Sequence, residues 1–147
     1  MISLDANILF YSADKTAGAR HRSALQLLQD AAGPGTALTE QALFEFFYSA
    51  TRKGKVPVPD AMVIVRQFAK NFVLLHPHRT TLEDALNLYA RYNLSIWDAR
   101  LLSTCDAHGC THLFSEDMQD GAQYGGVTVV NPFNPANIGL IAQLLTP

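Results

Sequence analysis

Short β-rich runs alternate along this chain with helical segments of roughly 10 to 15 residues, and that alternation restricts the possible folds more than any other feature. The run ISL at 2–4 opens the series, and TAL at 36–38, FVLLHP at 72–77, THLFSED at 111–117 and VTVVNP at 127–132 continue it. Between them the apolar spacing becomes helical at 19–32, 39–55, 59–71, 81–93 and 95–109. ANILFYS at 6–12 begins a further helix or turn, and a short apolar helix closes the chain. Gly33, Pro34 and Gly35 stop one helix, Gly109 stops another, and Thr39 stands where an N-cap is needed. A strand that returns parallel to its predecessor needs a crossover of this length, and helices used that way cover both faces of the sheet. The expected fold is therefore α/β with three layers, α/β/α, around a central parallel sheet of about five strands.

With 147 residues there is room for one ordinary domain, expected over 1–147, and an apolar content of 48% supplies its core. A charged fraction of only 16% excludes a disordered polyelectrolyte. The formal net charge of −2 gives no general attraction to nucleic acid, so a polyanion would have to be held by a local basic patch or by bound metal. Cys105, His108 and Cys110 in CDAHGC lie close together, but no second half-site accompanies them, which favours packed, reduced thiols over a zinc site. The longest apolar run, near IGLIAQLL, is far short of the roughly 20 residues of a membrane span, and no leader pattern opens the chain. A cytoplasmic protein that does not enter the membrane is expected.

Five acids need an explanation. Asp5 follows ISL and Asp117 follows HLFS, so both fall at the carboxyl ends of strands, where open parallel sheets bind their ligands. Each acid also has a purely structural reading. Asp5 can cap the helix that begins in DANI, with Asn7 serving the same turn, and Asp98 completes S-x-x-D with Ser95, close to a capping box. Asp117 and Asp120 in SEDMQDG fit an Asx or Asp-Gly turn. Glu45 in LFEFFY has no Lys or Arg three or four residues away, which leaves it either a solvated edge residue or a member of a site. Carboxylates that converge repel one another, by ~1 kcal/mol at 4 Å in water and ~4 kcal/mol at an effective dielectric of 20. Such a cluster either takes up protons or binds a cation, and oxygen donors select a hard divalent ion, Mg²⁺ or Mn²⁺. That ion with its waters suits hydrolysis of a phosphodiester.

The ordered set LDANILFY, ALFEFFYSATRKGK, SIWDARLLSTC and LFSEDMQDG before VTVVNPF resembles the PIN-domain ribonucleases, and most closely the VapC toxins of bacterial toxin–antitoxin pairs. The resemblance runs to about Phe133. It implies a Rossmann-like fold and a Mg²⁺ or Mn²⁺ site that cleaves single-stranded RNA. By position, Asp5 matches the first metal-binding acid, Asn7 the polar residue that steadies it and Glu45 the acid of the third helix. Asp98 matches the acid that opens a later helix, Asp117 the last acid, and Ser115 the small hydroxyl residue before it. The catalytic set so implied is Asp5, Glu45, Asp98 and Asp117, with Asp5, Asp98 and Asp117 on the metal; Asp120, one turn on, is an alternative to Asp117. A homodimer and an antitoxin partner are also implied. The tail beyond Phe133 has no place in the pattern and is read as packing.

Candidate phosphate contacts are Arg20, Arg22, Arg52, Lys53, Lys55 and Arg100, but each taken singly reads first as a solvated surface charge, and none is assigned as a binding residue. The aromatic group Phe44, Phe46, Phe47 and Tyr48 exceeds what one helix face needs; core packing is the favoured reading, with contact to a partner as the alternative for part of it. The competing reading is a catalytically silent PIN-like binding or regulatory module. A phosphoacceptor receiver domain fits poorly, because FVLLHP ends in His76 and VTVVNP runs into Asn131 where that chemistry needs an acid and a lysine.

Overall fold

The computed structural model describes residues 1–53 and 55–146. Gly54, expected in the end of the third helix, and Pro147, the last residue of the expected domain, lie outside the described residues. Six strands form one sheet: β1 (Ile2–Leu4), β2 (Thr36–Thr39), β3 (Val73–Leu75), β4 (His112–Phe114), β5 (Gln123–Tyr124) and β6 (Val127–Val130). Their order across the sheet is β3-β2-β1-β4-β6-β5, and every neighbouring pair is parallel except β5 with β6. The helices are α1 (Ala6–Ala13), α2 (Ala19–Asp30), α3 (Glu40–Arg52), α4 (Val58–Asn71), α5 (Thr81–Arg91), α6 (Ile96–Ala107) and α7 (Ile138–Leu145).

Strand alternation divides the interior in two. Leu38, Leu74, Phe114 and Val130 face a core built with α1, α2, α3, α4 and α7. Their chain neighbours Ala37, Leu75, Leu113 and Val129 face the opposite core under α5 and α6. That is the period of two that a sheet covered on both faces imposes, and it yields the expected three layers. Thr39 caps α3 as expected, its Oγ1 accepting from the Ala42 amide at 3.1 Å. Cys105 and Cys110 are buried, free thiols in the second core, and His108 is turned away to the carbonyl of His76, 2.8 Å from its Nε2.

Two details differ from the sequence reading. The apolar run FVLLHP has the length of a buried strand, yet β3 is an edge strand with Val73 exposed. The sixth strand, β5, was not foreseen: Gln123–Tyr124 folds back on β6 through Gly125 and Gly126, the first of which has φ of 60°. A Cβ at either glycine would meet the Asp106 carboxylate at 2.6 Å, so that side chain would have to move, and at Gly125 the positive φ itself favours glycine.

For function the important feature is the order of the strands. From β1 the chain runs outward through β2 to β3, and then crosses back to place β4 on the other side of β1. The gap between the carboxyl ends of β1 and β4 is the switch point of the sheet, where diverging connections leave a crevice.

Candidate active site

Asp5 is the first residue past β1, and Leu4 is in register with Phe114 at the end of β4. The Asp5 amide continues the ladder by donating to the Phe114 carbonyl at 2.9 Å, which brings Asp5 beside Ser115. Its carboxylate caps α1 through Oδ1, accepting from the Ala6 amide at 2.7 Å, and accepts the Ser115 hydroxyl through Oδ2 at 2.6 Å. Asp5 is 5% exposed. Burial pushes its pKa up to about 6; the bonds from Ser115 and Ala6 oppose the shift, and the charges of Glu45 and Asp117 add to it. Capping and membership of a charged site therefore coincide in one residue.

Asp117 lies in the loop after β4, its amide donating to Ser115 Oγ at 3.2 Å and its Oδ2 accepting from Asn7 Nδ2 at 3.1 Å. Asn7 so links the start of α1 to the loop, and its own Oδ1 is buried with no hydrogen-bond partner. Glu45 approaches from α3, half-buried, with Oε1 accepting from Gln41 Nε2 at 2.9 Å. Its carboxyl is held above the ordinary range chiefly by burial, against the Gln41 bond, with the Asp98 and Asp117 charges raising it and Arg100 lowering it. Asp98 sits in the first turn of α6, where its amide donates to Ser95 Oγ at 3.0 Å. Burial raises the Asp98 pKa too, with Asp117 contributing. Ser95 thus caps α6 as expected, while the Asp98 carboxylate faces the other acids.

All four acids line one open cleft of about 410 Å³, together with Asn7, Phe10, Tyr11, Tyr48, Ser49, Lys53 and Glu116. The groups that donate to these carboxylates, from Ala6, Ser115, Asn7 and Gln41, are neutral; Arg100 acts on Glu45 by its charge, and Lys53 lines the cleft with its Nζ 4.5 Å from the Phe10 ring centroid. The donor set is all oxygen, and the orphaned Asn7 Oδ1 supplies an unused lone pair beside two carboxylates, a composition that fits a hard divalent cation. Among the described residues no three Asp, Glu, His or Cys side chains are spaced to close around one ion. The fit is consequently to an ion that keeps most of its waters and takes one or two carboxylates directly, as Mg²⁺ does, with the remaining acids acting through water.

Asp120 does not belong to this group. Its carboxylate accepts from the Asn131 amide at 2.8 Å, from Asn134 Nδ2 at 2.8 Å and from Asn137 Nδ2 at 2.9 Å, and these bonds hold its pKa below the ordinary value even though desolvation works the other way. It fastens the segment that leads into α7. Beyond it, Phe133 packs edge-on against Tyr11, and Ile141, Leu144 and Leu145 reach the first core, so the tail does pack.

Two participants, Glu116 and Gln41, escaped the sequence reading. Glu116 lines the cleft but is engaged: Tyr11 donates its hydroxyl to Oε1, and Arg20 reaches Oε2 at 3.0 Å while stacking over Phe133 at 4.6 Å. Gln41, besides holding Glu45, donates to the Trp97 carbonyl at 2.9 Å and accepts from Arg100 at 2.6 Å. These partners are 56 to 105 residues apart in the chain, and no local pattern marks them. Of the six cations proposed for phosphate contact, only Lys53 lines the cleft. Arg20 and Arg100 are committed to Glu116 and Gln41, Lys55 lies 3.6 Å from Asp14, and Arg52 covers the Tyr48 ring.

Comparison with solved structures finds the same fold. The chain is similar to a toxin-antitoxin complex from Klebsiella pneumoniae at 24% identity, over 90% of this chain and 98% of that one, with a TM-score of 0.65. It is similar to VapC20 of Mycobacterium tuberculosis, a sarcin-ricin loop cleaving toxin, at 18% identity over 80% and 92% of the two chains, TM-score 0.64. FitAcB from Neisseria gonorrhoeae matches at 15% identity over 90% and 99%, TM-score 0.65. At these identities the likeness is one of fold. No curated protein matches by sequence. The family model described as PIN domain, however, matches residues 2–119, a span that begins with β1 and takes in all four acids of the cleft, and the chain belongs to the PIN domain family.

Proposed function

We propose that this chain is a single PIN-type nuclease domain that cleaves single-stranded RNA with Mg²⁺ or Mn²⁺, and that it is the toxin of a toxin–antitoxin pair. What supports the reading above all is that acids from four separate elements share one cleft at the sheet's switch point, with one of them buried and displaced to a pKa of about 6. Asp5, Asp98 and Asp117 would hold the ion, one or two of them directly and the rest through its waters, and Glu45 completes the catalytic set. When bound, the ion would supply Lewis acidity toward the phosphate and a more acidic water.

The chain's own contribution is orientation and proton handling. Ser115 and Ala6 each occupy one lone pair of Asp5, so the carboxylate is fixed with one further lone pair on each oxygen directed outward. Asn7 restrains Asp117 in the same way. Glu45 is anchored by Oε1 alone, which leaves Oε2 to accept the proton of an attacking water, and its raised pKa brings it nearer the working range of a general base. The apolar groove of about 390 Å³ between α3 and α4, lined by Leu43, Phe44, Phe47, Met62, Val65 and Leu74, supports a protein partner such as an antitoxin. Leu82, Leu86 and Tyr89 form an exposed stripe on α5 that supports a homodimer.

The test is cleavage of single-stranded RNA in Mn²⁺ and in EDTA by the parent, Asp5→Asn and Glu45→Gln. Both substitutions are nearly isosteric. Mn²⁺-dependent cleavage that falls at least 100-fold in each folded variant, the scale of a lost general base, is expected. A parent without activity would favour a silent binding module instead.

A further inference from the structure

Trp97 immediately precedes Asp98 in α6 and Tyr48 lines the cleft beside Phe10 and Tyr11, and both are open to solvent, at 63% and 58% exposure. Neither position is accidental with respect to the cleft. Gln41, Glu45 and Tyr48 succeed one another at helical spacing on one stripe of α3, and Arg52 extends it by one turn. At one end, Gln41 Nε2 holds both the Glu45 carboxylate and the Trp97 carbonyl, each at 2.9 Å, which ties the residue before Asp98 to the acid on α3. At the other end Tyr48 lines the cleft, and the Arg52 guanidinium lies 5.3 Å from its ring centroid. The stripe from Gln41 to Tyr48 rises about 10 Å. That length is bridged by about three stacked nucleotides at 3.4 Å each.

The electrostatics leave a task for these rings. The protein is net negative, the cleft is acidic, and Arg20 and Arg100 are already engaged. Of the candidate cations Lys53 remains in the cleft, so attraction of phosphates by side-chain cations is weak here, and most of the affinity for a single strand must come from elsewhere. Aromatic faces supply it, because every base has a π-face and stacking tolerates any sequence.

We propose that Trp97 and Tyr48 are base-stacking residues that seat single-stranded RNA on the two sides of Glu45, an inference that rests on the nuclease reading. Tyr48 takes a base on the face that Arg52 leaves open. Trp97 takes one at the Asp98 end.

The probe is a short oligouridylate carrying one 2-aminopurine, titrated into the full chain in Ca²⁺ and followed by its fluorescence, which stacking quenches. Quenching by the parent is expected, with binding about tenfold weaker in Trp97→Ala and in Tyr48→Leu. Trp97→Phe and Tyr48→Phe should recover most of the loss. An abasic nucleotide in place of the stacked base should weaken the parent but not the alanine variant further. Equal binding by parent and both variants, or the same losses on abasic RNA, overturns the proposal. So does a Trp97→Ala variant that binds RNA normally but changes from dimer to monomer in light scattering, which would make Trp97 a protein interface. The nuclease reading fails separately: a parent that quenches the base through these rings yet cuts no RNA in Mn²⁺ keeps the stacking and loses the chemistry.

Discussion

Asp5 shows how one residue serves the fold and the site together. Its two hydrogen bonds hold the start of α1 and the end of β4, but burial and the neighbouring acids make its charge costly. Because its folded pKa is about 6, above the ordinary value of 3.8, the folded state binds the extra proton between those limits. Without metal, stability should therefore fall as pH rises from about 4 to 6 and level off above. The drop from Asp5 is on the order of 3 kcal/mol, from about 2 pK units. Denaturant melts in EDTA across this window should show the slope in the parent and a much smaller one in Asp5→Asn. Equal slopes would mean that another group carries it. The sequence left open whether Asp5 only caps a helix; in the structure its Oδ1 caps α1 while the same carboxylate lines the acidic cleft, since a carboxylate has two oxygens and α1 uses one.

At the scale of elements, most of the fold was legible because apolar spacing reports which faces are buried. The parallel strands and their helices follow from it. The hairpin of β5 was not read, because two residues are too few for a period, although Gly125-Gly126 before VTVV is a hairpin signal in its own right. Asp120 stayed open as an alternative to Asp117 in the sequence for a different reason. Its spacing from Asp117 is local, but its partners Asn131, Asn134 and Asn137 come from the following segment, and only the fold brings them together. Asp120→Ala should destabilise the protein by on the order of 2 kcal/mol, as the loss of bonds to a charged acceptor does, while leaving Mn²⁺ stabilisation intact. Thermal melts of parent and variant, with and without Mn²⁺, check this; a variant that loses its Mn²⁺ response would return Asp120 to the site.

For the whole molecule, the strand order explains why acids so distant in sequence meet. β1 and β4 are central neighbours whose connections leave in opposite directions, and α3 and α6 then deliver Glu45 and Asp98 to the crevice from either side. None of the described helices is long and apolar enough to cross a membrane. We propose that Asp5, Asp98 and Asp117 share one cation, with Glu45 beside it. Melting curves of the parent and Asp98→Asn, each in EDTA and in Mn²⁺, test it most directly. If the claim holds, Mn²⁺ at a hundredfold excess over its Kd stabilises the parent by about 2.7 kcal/mol. Asp98→Asn in EDTA is then as stable as the parent or more so, because a repelled charge is gone, and its gain from Mn²⁺ is smaller. A parent whose melting temperature is unmoved by millimolar Mn²⁺, with Asp98→Asn destabilised equally in both conditions by roughly 0.5–1 kcal/mol, would reduce Asp98 to the first turn of a capped helix and contradict the shared site.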